Sequence, residues 1–257
     1  MSKKLIVANW KMAPETLGEA RGILEAVDGF LGSLAALPSF SLVVCPPFVF
    51  IEEVAKILGI GHLAQNAFLG AQDIAPQETG ALTGEVSGPM LDRLGVRYVI
   101  IGHSERRWKL GETDDVVNTK LRTALQHGFT PLVCLGERTR DGQFAEFLRE
   151  QTRNTFAGLD AGEIEKCIVA YEPVWAISSN PGARPDTPES ANESIHIVHE
   201  VLAGEGRSVK SYLYGGSVNS RNVADFISQP DIGGVLVGSA SVQKEEFVKI
   251  LQAVELS

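Results

Sequence analysis

Eight short runs rich in aliphatic and β-branched residues recur along the chain, each followed by a longer stretch of helical periodicity, and this alternation constrains the fold most. The runs are Lys4–Asn9, Ser41–Cys45, Ala67–Gln72, Arg97–Gly102, Thr130–Gly136, Cys167–Glu172, Ser211–Gly215 and Gly234–Gly238. Amphipathic segments lie between them at Glu15–Leu31, Phe48–Leu58, Thr113–His127, Gln143–Phe156, Pro188–Ala203, Ser220–Ser228 and Lys244–Val254, with a short one near Pro89–Leu94. Thr187-Pro188-Glu189 has the form of a helix start, with a capping hydroxyl, a proline at the first helical position and an acid in the first turn. Gly59 and Gly128 stand where helices stop. The strand runs are apolar throughout rather than alternating, as parallel strands are when helices cover their outer face. Eight strand–helix units in 257 residues, about 32 residues each, predict an α/β chain folded as one (β/α)8 barrel, with residues 1–257 a single domain. The competing open sheet, in its dinucleotide-binding form, needs G-x-G-x-x-G after the first strand, where this chain has Asn9-Trp10-Lys11-Met12.

Composition narrows the partners. The formal net charge of −9 repels nucleic acid and anionic lipid, so neither is expected to bind. An anionic substrate would need a local positive group acting against that field. No apolar run approaches the roughly 18 residues of a membrane span. The start, Met1-Ser2-Lys3-Lys4 followed by Leu5-Ile6-Val7-Ala8, is too short in apolar residues for a secretory leader, which predicts a cytoplasmic protein. Cys45, Cys134 and Cys167 each sit in an apolar run, lack CxxC or zinc spacing, and read as buried thiols.

Barrels of this kind build their active sites at the C-terminal ends of the strands. There the sequence places Asn9 and Lys11, Gly102-His103-Ser104-Glu105, Glu172, Gly215-Gly216-Ser217 and Gly238-Ser239. Singly, each has a plain structural explanation. Gathered on one face, they form a coherent set. Glycine-rich loops after the seventh and eighth strands suit a phosphate, Lys11 supplies a positive charge, Glu172 a base, and His103 a hydrogen-bond donor to a carbonyl. A base facing a C–H and a donor on the adjacent carbonyl abstract a proton alpha to that carbonyl. The substrate class is therefore a phosphorylated aldose or ketose isomerised through an enediol, with no metal and no organic cofactor.

Four of these segments also carry a resemblance: Asn9-Trp10-Lys11-Met12, Gly102-His103-Ser104-Glu105-Arg106-Arg107, Ala170-Tyr171-Glu172-Pro173-Val174-Trp175-Ala176-Ile177 and Tyr214-Gly215-Gly216-Ser217-Val218-Asn219. In order and wording they resemble the triosephosphate isomerase family, and the similarity runs from about residue 4 to 254. The resemblance implies a TIM barrel, Glu172 as the proton-shuttling base, and His103 as a neutral imidazole that polarises the carbonyl. It further implies that Lys11 stabilises developing negative charge with Asn9 beside it, and that Glu105 is a buried partner ordering Lys11. Main-chain groups at Ser178, Gly238 and Ser239, together with Ser217, would hold the phosphate. The long segment Gln72–Glu85, with Thr83 at its tip, would reach into a second copy of the chain to form a homodimer, and would leave Ile74, Ala75 and Leu82 exposed in a lone subunit.

The chain departs from the family after Glu172. The family continues Ile-Gly-Thr-Gly, whereas here Ile177-Ser178-Ser179-Asn180 leads to Pro181-Gly182-Ala183-Arg184-Pro185-Asp186. This lid is about three residues longer than usual and has lost its tip glycines. Ser239 stands where a second glycine is common, and Ala13 where asparagine is. A four-carbon ketose phosphate as substrate stays open, and so does a non-catalytic sugar-phosphate binder, although a binder would need neither Glu172 nor His103. His196 and His199 lack a third ligand and read as a solvated helix face. Arg106-Arg107 and Arg138-Thr139-Arg140 read as ion-paired loops, and Asn192-Glu193-Ser194 is a glycosylation sequon without a secretory context.

Overall fold

The computed structural model describes residues 3–178, 180 and 182–257. The first half holds β1 (Lys4–Asn9), α1 (Leu17–Ser33), β2 (Phe40–Cys45), α2 (Ile51–Leu58), α3 (Leu63–Asn66), β3 (Ala67–Ala71), α4 (Gly88–Arg93), β4 (Tyr98–Ile101), α5 (Ser104–Lys109) and α6 (Asp114–Gln126). The second half holds β5 (Thr130–Leu135), α7 (Phe144–Thr155), α8 (Ala161–Ile164), β6 (Ile168–Tyr171), α9 (Pro188–Gly204), β7 (Ser211–Tyr214), α10 (Val223–Ile227), β8 (Gly234–Val237) and α11 (Lys244–Glu255). The strands pair in sequence order, all parallel, and β1 pairs with β8 to close the barrel. The expected (β/α)8 architecture is the observed one.

Side chains alternate between two cores. Leu5, Val7, Val43, Cys45, Ile100, Leu132, Cys134, Ile168, Ala170, Leu213 and Leu236 pack together inside the barrel. Their strand neighbours Ile6, Ala8, Leu42, Val44, Val99, Ile101, Val133, Val169, Val235 and Val237 pack outward, against the helices. Both faces of each strand are thus dry, which is why the strands read as unbroken apolar runs. Cys45, Cys134 and Cys167 are buried and unpaired. No described helix is long and apolar enough to cross a membrane.

Local signals set the helix starts. Thr16 caps α1 in a reciprocal box with Glu19, so the helix begins at Leu17 rather than at Glu15. Thr187 caps α9 through Ser190 N–H, with Pro188 in the first turn as expected. The segment expected as one helix from Phe48 opens as a 3-10 turn, Phe48–Phe50, before α2. The helix expected over Ser220–Ser228 narrows to α10 because Asn219 and Asn222 tie the preceding residues into a turn. Four-residue α3 and α8 and six-residue α5 were not anticipated, being too short to show a helical period.

Arg107, 8% exposed, joins the C-terminal ends of neighbouring strands. Its Nε donates to Gly102 O at 2.7 Å, and Nη2 donates to Cys134 O and Thr155 Oγ1, each at 3.3 Å. Nη1 pairs with Asp114 in the first turn of α6. Arg107→Ala should leave buried carbonyls without this donor and deprive Asp114 of its cation, costing about 3 kcal/mol of stability. Equilibrium unfolding in urea measures this, and a loss below about 1 kcal/mol would show that the guanidinium is replaceable.

Candidate active site

The inward alternation continues past the strand ends. Asn9 follows Leu5 and Val7, Glu172 follows Ala170, Gly215 follows Leu213, and Gly238 follows Leu236, each two residues on and facing the barrel axis. Together with the adjoining loops they form a cleft lined by Asn9, Lys11, His103, Glu172, Ile177, Ser178, Gly215, Gly216, Ser217, Val218, Leu236, Gly238 and Ser239. Every residue that the sequence gathered at the strand ends lines this cleft except Gly102, Ser104 and Glu105, the last of which stands behind Lys11. Ile177, Val218 and Leu236 were not anticipated, and the strand alternation alone would have predicted Leu236.

Lys11 is held from three directions. Its backbone has φ +55°, an uncommon conformation for a residue with a side chain. Asn9 Oδ1 accepts from Lys11 N–H at 3.1 Å, and Gln72 Nε2 donates to Lys11 O at 2.9 Å and to Cys45 O at 3.0 Å. Gln72, at the end of the third run, was not singled out from the sequence because amide side chains carry no pattern. The ammonium pairs with Glu105 Oε1 at 3.0 Å. The Lys11 chain then crosses Gly238, where a β-carbon would stand 3.2 Å from its Cε. Glu105 was expected to be buried, but it is half-buried, its carboxylate turned toward the rim to meet the lysine. Burial pushes its pKa up, but the Lys11 charge and hydrogen bond more than reverse this and hold the carboxyl below its usual range.

Glu172, 1% exposed, receives neutral donors. Ser104 N–H donates to Oε2 at 2.8 Å, and His103 Nε2 lies 3.1 Å from Oε1. The next N–H of the same helical turn, Glu105 N–H, donates to His103 Nδ1 at 3.2 Å. Nδ1 is therefore an acceptor, and the ring proton sits on Nε2, directed at the carboxylate. The first turn of α5 thus orients base and imidazole together, using main-chain groups that no side-chain motif reveals. Gly215 admits the carboxylate's stem, since a β-carbon there would meet Glu172 Cγ at 2.8 Å. The charge of Glu172 also acts on Cys134, whose thiol is pushed well up, first by burial and then by that carboxylate.

Segment 173–186 borders the opposite side. A 3-10 turn, Val174–Ala176, follows Pro173, and Trp175 Nε1 donates to Glu137 Oε1 at 2.9 Å. Asn180 Nδ2 donates to Val174 O at 2.9 Å, and Arg184 N–H to Trp175 O at 3.1 Å, with its guanidinium 5.3 Å from the Trp175 ring centroid. The near and far stems of this segment are therefore joined to each other. Ser179 and Pro181, named among its departures, lie outside the described residues.

The loop 72–85 corrects one expectation. Ile74, Ala75 and Leu82 were all expected to be exposed in a lone subunit. Ile74 and Ala75 are buried at 1% and 3%, because the root of the loop folds back on the core, while Leu82 is 40% exposed. The arginine pairs are engaged as expected: Arg106 with Asp73 and Glu112, Arg107 with Asp114, and Arg140 with Glu137 and Glu193. Arg138 instead lies over the Trp108 ring, 5.1 Å from its centroid. His196 and His199 stack on α9 with ring centroids 6.1 Å apart, and no group of three metal-binding side chains occurs among the described residues.

The sequence profile described as Triosephosphate isomerase matches residues 4–254. A triosephosphate isomerase of Chloroflexus aurantiacus is 41% identical over 251 residues, 96% of this chain and 97% of its own. One from Caldanaerobacter subterraneus subsp. tengcongensis is 40% identical over 98% of this chain and 99% of its own, and one from Moorella thermoacetica is 41% identical over 98% of each. The matched span takes in all eight strands and every residue lining the cleft, and the chain belongs to the triosephosphate isomerase family.

Proposed function

We propose that the chain interconverts dihydroxyacetone phosphate and D-glyceraldehyde 3-phosphate through an enediol intermediate, in glycolysis and gluconeogenesis, with neither metal nor organic cofactor. One observation carries the reading: a buried carboxylate and an imidazole N–H, 3.1 Å apart, share a cleft with a single ammonium group. Glu172 removes the proton from the carbon next to the carbonyl and returns it to the neighbouring carbon. His103 Nε2–H donates to the carbonyl oxygen, and a neutral imidazole is the better-matched acid for an enediolate. Lys11, with Asn9 beside it, stabilises the charge that develops on the oxygens, and Glu105 sets the direction of the lysine. Main-chain N–H groups of Ser178, Gly238 and Ser239, together with Ser217, hold the phosphate. The lid excludes water, which strengthens these contacts and protects the enediolate from losing its phosphate.

We further propose that residues 1–257 act as one domain in the cytoplasm and pair as a homodimer. The loops after β1, β2 and β3, neighbours around the barrel, present Met12, Val49 and Leu82, which are 97%, 82% and 40% exposed. A second copy of the chain would cover them.

A coupled assay on both triose phosphates tests the activity. Glu172→Gln should bind phosphate-bearing ligands almost normally yet lose turnover by several orders of magnitude, because the base acts in the transition state. More than about a tenth of the rate surviving would overturn the assignment. Lys11→Met should abolish most activity and weaken anion binding, whereas an unchanged affinity for an enediolate mimic would place the lysine outside the site. In sedimentation the protein should run at about twice 27.7 kDa, and Thr83→Arg should shift it toward monomer. A sharp monomer boundary from the unmutated chain at micromolar concentration would refute the pairing.

A further inference from the structure

A second groove opens off the active cleft. Ser178, Ser217 and Ser239, the three serines proposed above to hold the phosphate, line both. Glu172, His103 and Lys11 line the cleft alone, whereas Arg221, Glu246 and Lys249 line the groove alone. The serines therefore form a boundary, with the proton-transfer groups on one side and two further cations on the other. At Ser178 and Ser239 the family commonly has glycine, so this chain adds a hydroxyl to the boundary at both places.

Side-chain amides fix the loop that carries Arg221. Asn222 Nδ2 donates to Ser217 O at 2.9 Å, Asn219 N–H to Asn222 Oδ1 at 2.8 Å, and Arg221 N–H to Asn219 Oδ1 at 2.9 Å. Ser220 N–H then donates to Glu246 Oε1 at 2.7 Å and ties the loop to α11. Lys249 stands three residues after Glu246 on that helix and shares its face. Glu246 is held below the usual carboxylate range, first by the Ser220 N–H and then by the charges of Lys249 and Arg221, so both cations gather around it. Neither of them forms an ion pair among the described residues; on the same helix Lys244 pairs with Glu245 instead. Two positive groups against one carboxylate leave the groove locally positive in a chain of net charge −9.

The carbon chain of a triose phosphate runs from the phosphate place toward Glu172 and His103, away from this groove. A ligand that enters the groove from the phosphate place must therefore extend from the phosphorus, through a P–O–P bridge. We propose that the groove is a second phosphoryl subsite: it takes one phosphoryl of a diphosphate whose other phosphoryl occupies the phosphate place, and Arg221 and Lys249 supply its cations. The proposal rests on the isomerase reading for the phosphate place. A diphosphate held there displaces triose phosphate without reaching the proton-transfer groups, so it inhibits competitively and no bond forms or breaks. Inorganic diphosphate and the diphosphate end of an ester present the same chemistry to these residues.

The test compares inorganic pyrophosphate with orthophosphate by titration calorimetry in magnesium-free buffer, using the full chain, Arg221→Gln, Lys249→Gln and the double variant Arg221→Gln/Lys249→Gln. Pyrophosphate should bind the unmutated chain about tenfold more tightly than orthophosphate. The double variant should lose that preference and each single variant part of it, while orthophosphate affinity and kcat/KM for the triose phosphates stay unchanged. Pyrophosphate should also raise KM without lowering kcat. Equal affinity for the two anions in the unmutated chain, a preference that survives in the double variant, a parallel loss of orthophosphate binding, or non-competitive inhibition would each overturn the proposal. ADP provides the second arm: affinity matching that of pyrophosphate supports an ester-borne diphosphate as the occupant, and affinity below that of orthophosphate supports the free anion. Absence of isomerase activity in the unmutated chain would instead overturn the function proposed above, and the calorimetry would still decide the subsite.

Discussion

Hydrogen bonds between β1 and β8 set Leu5–Ala8 beside Gly234–Val237 and close the sheet on itself. Without that ladder the chain would have two open edges, and the inward residues of each strand would face water. With it, Leu5, Val7, Cys45, Leu132, Cys134 and Leu236 fill the interior completely, and the next inward step along each strand falls on the rim. At this rim inward-facing polar groups reach the cleft. Closure also brings Asn9 and Lys11, near the start of the sequence, against Gly238 and Ser239, near its end.

The charges at the rim follow from who holds them. Glu172 is held by the N–H of Ser104 and by His103, both neutral, so its negative charge is stabilised without being cancelled by a cation. Lys11 is paired with Glu105, yet stays half-exposed and lies along the cleft wall. The only ammonium lining the cleft among the described residues is thereby aimed at the ligand space of a protein whose overall charge is −9.

Around the rim, loops are fastened at their roots rather than at their tips. Lys120, 2% exposed, pairs with Asp73 and Glu112, and Arg106 pairs with the same two carboxylates at the base of loop 72–85. Ions buried this way favour one placement of the loop more than they add to stability. Glu137 does the corresponding work for the lid through Trp175. In both places the tips, with Leu82 in one and Gly182 in the other, are left outside the packed core.

Much of this was legible in the chain itself. Apolar runs separated by amphipathic ones specify parallel strands under helices, because burial on both faces demands that pattern, and residues at strand ends specify where polar groups collect. Lys11, His103 and Glu172 were readable for that reason, since each ends or follows a run. Ser104 and Gln72 were not, because a main-chain N–H and an amide that braces a carbonyl act through position and leave no periodic trace. Glu105 and Ile74 were misjudged in burial, since exposure depends on which neighbours a loop meets. The order of strands, the residue types on each face and the chemistry available at the rim were thus determined by sequence, through local periodicity and transfer from water. The pairing of Glu172 with His103 and the path of Lys11 over Gly238 were decided only by tertiary structure, because each is a distance between residues that the chain itself keeps far apart.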